Sequence, residues 1–303
     1  MSYWQDRMAT AQTNLSTKNI QQIENKLKKY YERAMKKVIS DFESVYDKIL
    51  LQQATGELPT ANSLYKLDAY WKMQGQLRNE LQKLGDKQIA ALSKIFETNF
   101  FEVYYSIALN GADPFTTIDV AAAQQIINQI WCADGLSWSQ RIWNNTNLLV
   151  DTLNEGLVEC VIAGKKTTEL KKILQYRFAV SYSKADSLVR TEMAHIQTQA
   201  ARQRYADYGV AEVQIWADAD ERRCPECGKL HKKKFKIGEA VPIPKHPRCR
   251  CCIIPVIEDA KEEETYSLEC QQCGKTFISY NEKTLYCPEC KQERYLTYRR
   301  KNK

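Results

Sequence analysis

The sequence has no run of 18 apolar residues, and its N-terminus carries no basic segment followed by an apolar stretch. The first absence argues against a membrane-spanning helix, and the second argues against a secretory signal peptide. We therefore expect a protein with no membrane partner that stays inside a cell, or inside something assembled there.

Histidine is scarce, with three residues in the whole chain, and several catalytic motifs are missing. There is no His-Glu-x2-His, no glycine-rich phosphate loop and no Gly-x-Ser-x-Gly. These absences exclude the common zinc proteases, nucleotide-binding folds and serine hydrolases. If His246 is a metal ligand, only His195 and His231 remain as imidazole bases, and we expect the protein not to be an enzyme.

The composition, 44% hydrophobic and 27% charged, is that of a folded globular protein. The chain of 303 residues is long enough for more than one domain. Near the N-terminus, apolar residues recur in steps of three and four from Ile20 to Ile49, which predicts one face of a long helix. Ser16 or Thr17 is a plausible N-cap, so we expect this helix to begin there. A second helix is predicted over residues 63–109, with a break near Gly85.

Further helices are predicted over 117–133, 137–163, 167–178 and 184–208, and a strand over 213–216. The fold class we expect is a mainly α N-terminal region, a small α+β zinc-binding module and a C-terminal zinc ribbon. The expected domains are a helical N-terminal region at 1–134, a helical segment that ends in the zinc module at 135–257, an acidic linker at 258–264, and the ribbon with a basic tail at 265–303.

Nine of the eleven cysteines lie between Cys224 and Cys290, mostly as Cys-x2-Cys pairs, which indicates metal binding rather than disulfides in a reducing compartment. The clearest pattern is the pair of Cys-x2-Cys motifs formed by Cys270, Cys273, Cys287 and Cys290. Four thiolates at this spacing are typical of a zinc ribbon. We expect residues 275–280 and 283–286 to pair as its hairpin.

A second set of candidate ligands is Cys224, Cys227, His246 and Cys249, which again fits tetrahedral zinc. Cys251 is an alternative to His246 or Cys249. We therefore predict two structural Zn²⁺ sites. Because four protein ligands leave no open position on the metal, neither site is expected to be catalytic.

The residues around the second set form a longer pattern: Arg190-Thr191-Glu192 in a helix, then Tyr205, Gly209 and Trp216, then 220–227, and finally 244–255 with its His-Pro-x-Cys-Arg-Cys core. In order and spacing this pattern resembles the tailed-phage minor head, or head morphogenesis, family that includes the F protein of phage Mu. The firm part of the resemblance covers residues 190–255, and the helical segment from Gly135 is similar to the approach found in the family.

The resemblance implies a minor protein of the capsid interior that associates with the portal during assembly in the host cytoplasm, together with capsid or scaffolding components. It also implies contact with packaged double-stranded DNA. Arg190, Thr191 and Glu192, with Trp216, are expected to be structural and to orient the zinc module against the helices. One departure is the sequence Leu230-His231-Lys232-Lys233-Lys234, where many members have a Leu-Asp-Gly-Lys-like sequence; it makes this loop unusually basic.

Charge is concentrated at the C-terminal end, because residues 221–303 hold 19 Lys and Arg against 12 Asp and Glu. Seven thiolates and two zinc ions would leave this segment at about +4. Non-specific phosphate contacts are therefore expected from two groups of residues. These are Lys232, Lys233 and Lys234, and, in the tail, Arg294, Arg299, Arg300 and Lys301.

Two alternative functions remain open from the sequence. One is a zinc-dependent DNA-binding regulator that uses the ribbon to read DNA. The other is a metal-dependent nuclease, for which Glu226 is the nearest acidic residue to the second ligand set. A regulator needs sequence preference, whereas an assembly protein needs a partner.

Overall fold

The computed structural model describes residues 3–53, 65, 68–109, 118–217, 223–239, 241–256, 266–279 and 283–301. The predicted acidic linker at 258–264 lies outside the described residues. Within them the protein is mainly helical, with two small antiparallel sheets toward the C-terminus. No helix among the residues covered here has the length and apolar character needed to cross a membrane.

The chain divides into two compact units, one made of residues 1–19, 96–127 and 191–303, the other of 20–95 and 128–190. Three long helices each supply residues to both units. In chain order the helices are α1 (Tyr3–Gln53), α2 (Asp68–Ser106), α3 (Val120–Ile127), α4 (Trp138–Ile162), α5 (Thr167–Asp207), α6 (Pro225–Leu230) and α7 (Pro288–Lys301). The strands are β1 (Glu212–Trp216), β2 (Lys234–Lys236), β3 (Cys252–Pro255), β4 (Tyr266–Glu269) and β5 (Thr276–Ser279).

Helix α1 confirms the apolar stripe but corrects its start. Ile23, Leu27 and Phe42 are all buried, as the spacing predicts. The helix begins at Tyr3, however, so neither Ser16 nor Thr17 is its N-cap. The Thr17 hydroxyl donates to the carbonyl four residues earlier, a bond that keeps a threonine inside a helix instead of at its start.

Helix α2 runs without interruption through Gly85, so the predicted break is wrong. A Cβ at Gly85 would lie 2.3 Å from Cζ3 of Trp143 on α4, which shows that the glycine makes room for the indole ring. The predicted gap between residues 178 and 184 is also wrong, because α5 is one helix of 41 residues. Phe178 and Ala185 on either side of that gap both lie in the core of the second unit.

The first sheet has the order β2-β1-β3, with β1 paired antiparallel to both neighbours. Helix α5 leads into it through Gly209, whose φ of +73° is the left-handed backbone of a helix C-cap. The backbone N–H and carbonyl of Ile215 in β1 form hydrogen bonds with Lys233 and Lys232 on the β2 side. Ile253 in β3 lies opposite Ile215, and in an antiparallel pair of this kind its carbonyl points away from β1, to the outer side of the sheet.

The carbonyl of Ile253 is instead bonded by two side chains. The Tyr205 hydroxyl, on α5, donates to it at 3.3 Å, and Nε2 of Gln12, on α1, donates to it at 3.2 Å. Nε2 of Gln12 also lies 3.1 Å from the Tyr205 hydroxyl. Since Gln12 and Tyr205 are both buried, this three-way contact anchors the edge of the sheet to two helices.

The second sheet is the hairpin β4-β5, and its strand pairing differs from the one predicted for the ribbon. Residues 276–279 pair with 266–269, not with 283–286. The turn of this hairpin contains Cys270 and Cys273, and the N–H of Cys270 donates to the carbonyl of Lys275 at 3.0 Å. The metal-ligand turn itself therefore reverses the chain, so the partner of β5 precedes the first cysteine pair.

Candidate metal centres

The first centre begins with a tight turn at the N-terminus of α6. Cys224 is the N-cap of this helix, and its sulfur accepts the N–H of Cys227 at 3.3 Å. Pro225 follows at the first helical position, where its missing N–H costs nothing. The Cys-Pro-x-Cys sequence therefore aims both sulfurs to one side through local backbone geometry alone.

His246 brings the distant loop to these sulfurs. Its Nε2 lies 3.3 Å from Sγ of Cys224 and 3.2 Å from Sγ of Cys227. Its Nδ1 is 2.8 Å from the carbonyl oxygen of Pro247, which can only accept a hydrogen bond, so Nδ1 carries the proton. The lone pair of Nε2 then points toward the two sulfurs, which is the tautomer and orientation of a metal-bound imidazole.

Cys249 and Cys251 complete a second, overlapping group. Cys224, Cys227 and His246 form one set of donors within 4.8 Å of one another, and Cys227, Cys249 and Cys251 form another. The Cys227 and Cys249 sulfurs are 3.8 Å apart. Metal–sulfur bonds of about 2.3 Å in a tetrahedron place sulfurs about 3.8 Å apart. The structure thus gathers the predicted ligands around Cys227 and adds Cys251 as a fifth donor.

The three buried thiols strongly affect one another's ionisation. A hydrogen bond from Cys251 is the main cause that lowers the pKa of Cys249 to about 5. Burial raises the pKa of Cys227 to about 12, and the bond to Cys249 raises that of Cys251. Thiolates this close repel one another unless a cation lies between them, and a bound metal would deprotonate them.

The second centre holds the four ribbon cysteines, Cys270, Cys273, Cys287 and Cys290, whose sulfurs lie within 4.8 Å of one another. The Cys273 and Cys287 sulfurs are 3.6 Å apart, close to a tetrahedral edge. The N–H of Cys287 donates to Sγ of Cys270 at 3.2 Å. Burial opposes ionisation of Cys270, but this bond and others from backbone N–H groups lower its pKa to about 6. Phe277 and Tyr286 pack against the buried cysteines as the rest of the ribbon's small core.

The three consecutive residues Arg190, Thr191 and Glu192, predicted to be structural, make different contacts. The Thr191 hydroxyl accepts the N–H of Arg248 at 3.1 Å, which ties α5 to the loop between His246 and Cys249. Arg248 has a left-handed φ of +61°, so this bond holds a backbone conformation that arginine rarely adopts. Arg190 pairs with Glu24 and with Asp186 of its own helix. Glu192 is buried.

Trp216 lies at the end of β1 beside the start of the basic run. Its ring meets His231 edge to face at 4.8 Å, and Nζ of Lys232 is 5.8 Å from the ring centre. The N–H of Ala217 donates to Nδ1 of His231, so His231 also fixes the backbone next to Trp216. Burial, with help from Lys232 and Arg223, lowers the pKa of His231.

Among the predicted phosphate contacts, Lys232, Lys233 and Lys234 are exposed side by side. Arg294 is also exposed, and its guanidinium lies 4.3 Å from the centre of the Tyr286 ring. Arg299, Arg300 and Lys301 fall on α7, but their side chains lie outside the described residues. Of the two basic groups, the lysine run is therefore the one whose side chains the structure fully describes.

Two features were missed or underweighted in the sequence, one at the first centre and one at the first sheet. Cys251 belongs to one of the two donor groups, together with Cys227 and Cys249, although the sequence offers it only as an alternative ligand. The one signal for it in the sequence is its place in a Cys-x-Cys pair. The contact of Gln12 with β3 had no signal in the sequence, because the two residues are 241 positions apart. Glu226, the candidate nuclease residue, is exposed, and among the described residues it belongs to neither donor group of this centre.

Comparison with known families supports the resemblance. Residues 151–254 match the family described as Phage Mu protein F like protein, about a third of the chain. The match includes the whole first centre and ends before the ribbon. It confirms the predicted similarity to phage head proteins over these residues. No curated protein and no solved structure gives a significant match to the chain.

Proposed function

We propose that this protein is a minor head protein of a tailed phage that associates with the portal during assembly and contacts packaged DNA without sequence preference. The observation that carries the proposal is the family match over 151–254, which contains α5, the first sheet except its last residue, and every donor of the first centre. In this proposal the protein is a binding and assembly component of the virion interior, not an enzyme.

Zinc is the metal we propose for both centres. Thiolate and imidazole donors favour Zn²⁺ over Mg²⁺ or Ca²⁺, and separations of 3.2–3.8 Å between donor atoms suit tetrahedral coordination. The ribbon centre offers four protein donors within reach of one ion, and the first centre offers two groups of three donors that share Cys227, which supports a structural role in which side chains supply the ligands. A polar segment with a small core gains folding free energy from such a metal directly.

Removal of zinc tests this part of the proposal. We expect about two zinc ions per chain by elemental analysis of reduced protein, and only about one in the Cys227→Ser variant, because Cys227 belongs to both donor groups of its centre. Chelation should increase protease cleavage within 223–290 while circular dichroism retains most of the helical signal. Zinc-free wild-type protein, or unchanged cleavage after chelation, would refute the structural role.

The DNA contact is proposed for the exposed lysines at 232–234. Three neighbouring ammonium groups release counterions when they neutralise phosphates, an interaction that reads charge and not sequence. Lys232 beside the half-buried Trp216 adds an aromatic surface at one end of the run. The basic tail at 292–303 is proposed as a second contact.

Binding to duplex DNA as a function of salt tests the contact. Each lost phosphate contact should reduce the slope of log affinity against log salt by about 0.9. The variant with Lys232, Lys233 and Lys234 changed to glutamine should therefore lose about two to three units of slope. A matched variant with Lys87, Lys94 and Lys172 changed to glutamine, all exposed on helices, should match wild type.

Three further measurements test the basic tail and separate this function from the alternatives. Deletion of 292–303 should weaken DNA binding but leave association with purified portal protein unchanged. Random and selected duplexes should bind equally, because a marked preference would favour a regulator. Cleavage of DNA that disappears in Glu226→Gln would favour a nuclease.

A further inference from the structure

Helices α4 and α5 form an antiparallel pair joined by a short connection, and a cleft opens between them on the surface of the second unit. Its volume is about 130 Å³. A cavity of about 150 Å³ accepts a benzene molecule in a protein core, so this cleft can take one aliphatic or aromatic side chain.

The floor of the cleft is fixed by hydrogen bonds. Nδ2 of Asn145 donates to the carbonyl of Ser181 at 3.0 Å and to the hydroxyl of Tyr31 at 3.2 Å. The Tyr31 and Ser181 hydroxyls lie 3.3 Å apart. Because three elements of the same unit share this network, the cleft exists before anything binds, and binding would require little ordering of its walls.

Part of the rim of the cleft is apolar and exposed. Leu148 on α4 is 45% exposed and Val180 on α5 is 37% exposed. Tyr176, one turn before Val180 on the same helix face, is 65% exposed. An apolar surface of this kind beside a preformed cleft is typical of a protein interaction site.

Two cations line the cleft. Arg177 and Lys184 both contribute to its walls, and among the residues that the structure describes no Asp or Glu does so. Nε of Arg177 is buried and has no hydrogen-bond acceptor in the part of the chain that the structure describes. A buried donor without an acceptor is uncommon in folded proteins. Because Arg177 is half-exposed while its Nε is buried, a partner's carboxylate would bond the outer part of the guanidinium.

We infer that this cleft is a docking site for a protein partner that inserts one apolar side chain between Leu148 and Val180 and places a carboxylate on Arg177 and Lys184. The partner chemistry is that of an acidic amphipathic segment. The inference deepens the proposed function and rests on it, because it assigns a surface to the association with the portal.

The test uses the full chain and purified portal protein from the same phage. Leu148→Asp and Val180→Asp, both at exposed positions, should each weaken binding about tenfold or more. Changing Arg177 and Lys184 together to glutamine should weaken binding and remove most of its dependence on salt. The matched controls are Ile130→Asp, an exposed apolar position elsewhere in this unit, and a double change of Lys87 and Lys172 to glutamine; both should stay within about twofold of wild type.

The outcomes separate the inference from the function. If wild-type protein binds the portal and the cleft variants bind equally well, the cleft is not the site and the proposed function stands. If wild-type protein does not bind the portal, portal association and the inference both fail. If wild-type protein dimerises in sedimentation and Leu148→Asp is monomeric, the occupant is a second copy of this chain and the partner assignment is wrong. Circular dichroism of each variant confirms that the helices remain intact.

Discussion

The anchor between β3 and the helices gives a prediction that follows from counting hydrogen bonds. Three groups meet in it: the Ile253 carbonyl, the Tyr205 hydroxyl and the Gln12 amide, with separations of 3.1–3.3 Å. In Tyr205→Phe the carbonyl keeps its bond to Gln12. In Gln12→Met it keeps its bond to Tyr205. Each single change also removes the contact between Gln12 and Tyr205, so it loses two of the three contacts and should cost about 2 kcal/mol, at about 1 kcal/mol for an ordinary hydrogen bond.

The double variant removes both donors from a buried carbonyl. The three lost contacts account for about 3 kcal/mol and an unsatisfied buried carbonyl adds about 1–3 kcal/mol, so the double change should cost about 5 kcal/mol, not the 4 kcal/mol that additivity predicts. Native-state hydrogen exchange of the β3 amides measures the free energy of local opening for all four proteins of the cycle. Additivity to within about 0.5 kcal/mol would refute the reasoning and show that water or another group satisfies the carbonyl.

Three further predictions concern single residues. Gly85→Ala should lower the free energy of unfolding in urea by about 1–3 kcal/mol, because the added Cβ would overlap Trp143. The control Gly75→Ala, whose Cβ would meet nothing within 4 Å, should raise it by up to about 1 kcal/mol. A stabilising Gly85→Ala would contradict the packing. Thr191→Val removes the acceptor of a backbone N–H in the loop between two candidate donors, so transfer of the proposed zinc to a chelator should be faster than in wild type. An unchanged rate would show that this bond does not hold the loop. Burial lowers the pKa of His195 from 6.5 to about 4, so between pH 6.5 and 4 only the unfolded imidazole takes up a proton. The free energy of unfolding should therefore fall as pH decreases through this range, by up to about 3 kcal/mol. His195→Gln should flatten this part of the pH profile, and an equally steep profile would assign the effect to other groups.

Prediction from sequence worked best where short-range chemistry decides the structure. The Cys-x2-Cys turns are local: Cys224 caps α6 and accepts the N–H of Cys227 whatever the rest of the chain does. Amphipathic periodicity placed Leu27 and Phe42 in the core for the same reason, because the side-chain spacing of a helix is fixed by its backbone. The family resemblance depended on such local motifs in the right order.

Prediction failed where a distant residue changes the meaning of a local signal. Gly85 is usually a helix breaker, but here it accommodates the ring of Trp143, which lies 58 positions later. Thr17 has the chemistry of an N-cap, but the helix continues through it because neighbouring positions such as Gln12 and Asn19 are buried by tertiary contacts.

By itself the sequence determined that this protein is mainly helical, that its cysteines gather near the C-terminal end, and which family its middle region resembles. The first two follow from composition and periodicity, and the resemblance rests on particular motifs in a particular order; all three can be read along the chain without the fold. Only the tertiary structure decided that Cys251 joins the donors around Cys227, that the Ile253 carbonyl is bonded by Gln12 and Tyr205, and that Arg177 and Lys184 share one cleft. Those arrangements arise when packing brings separate helices and strands together, and hydrogen bonds and charges between distant residues leave no pattern along the chain.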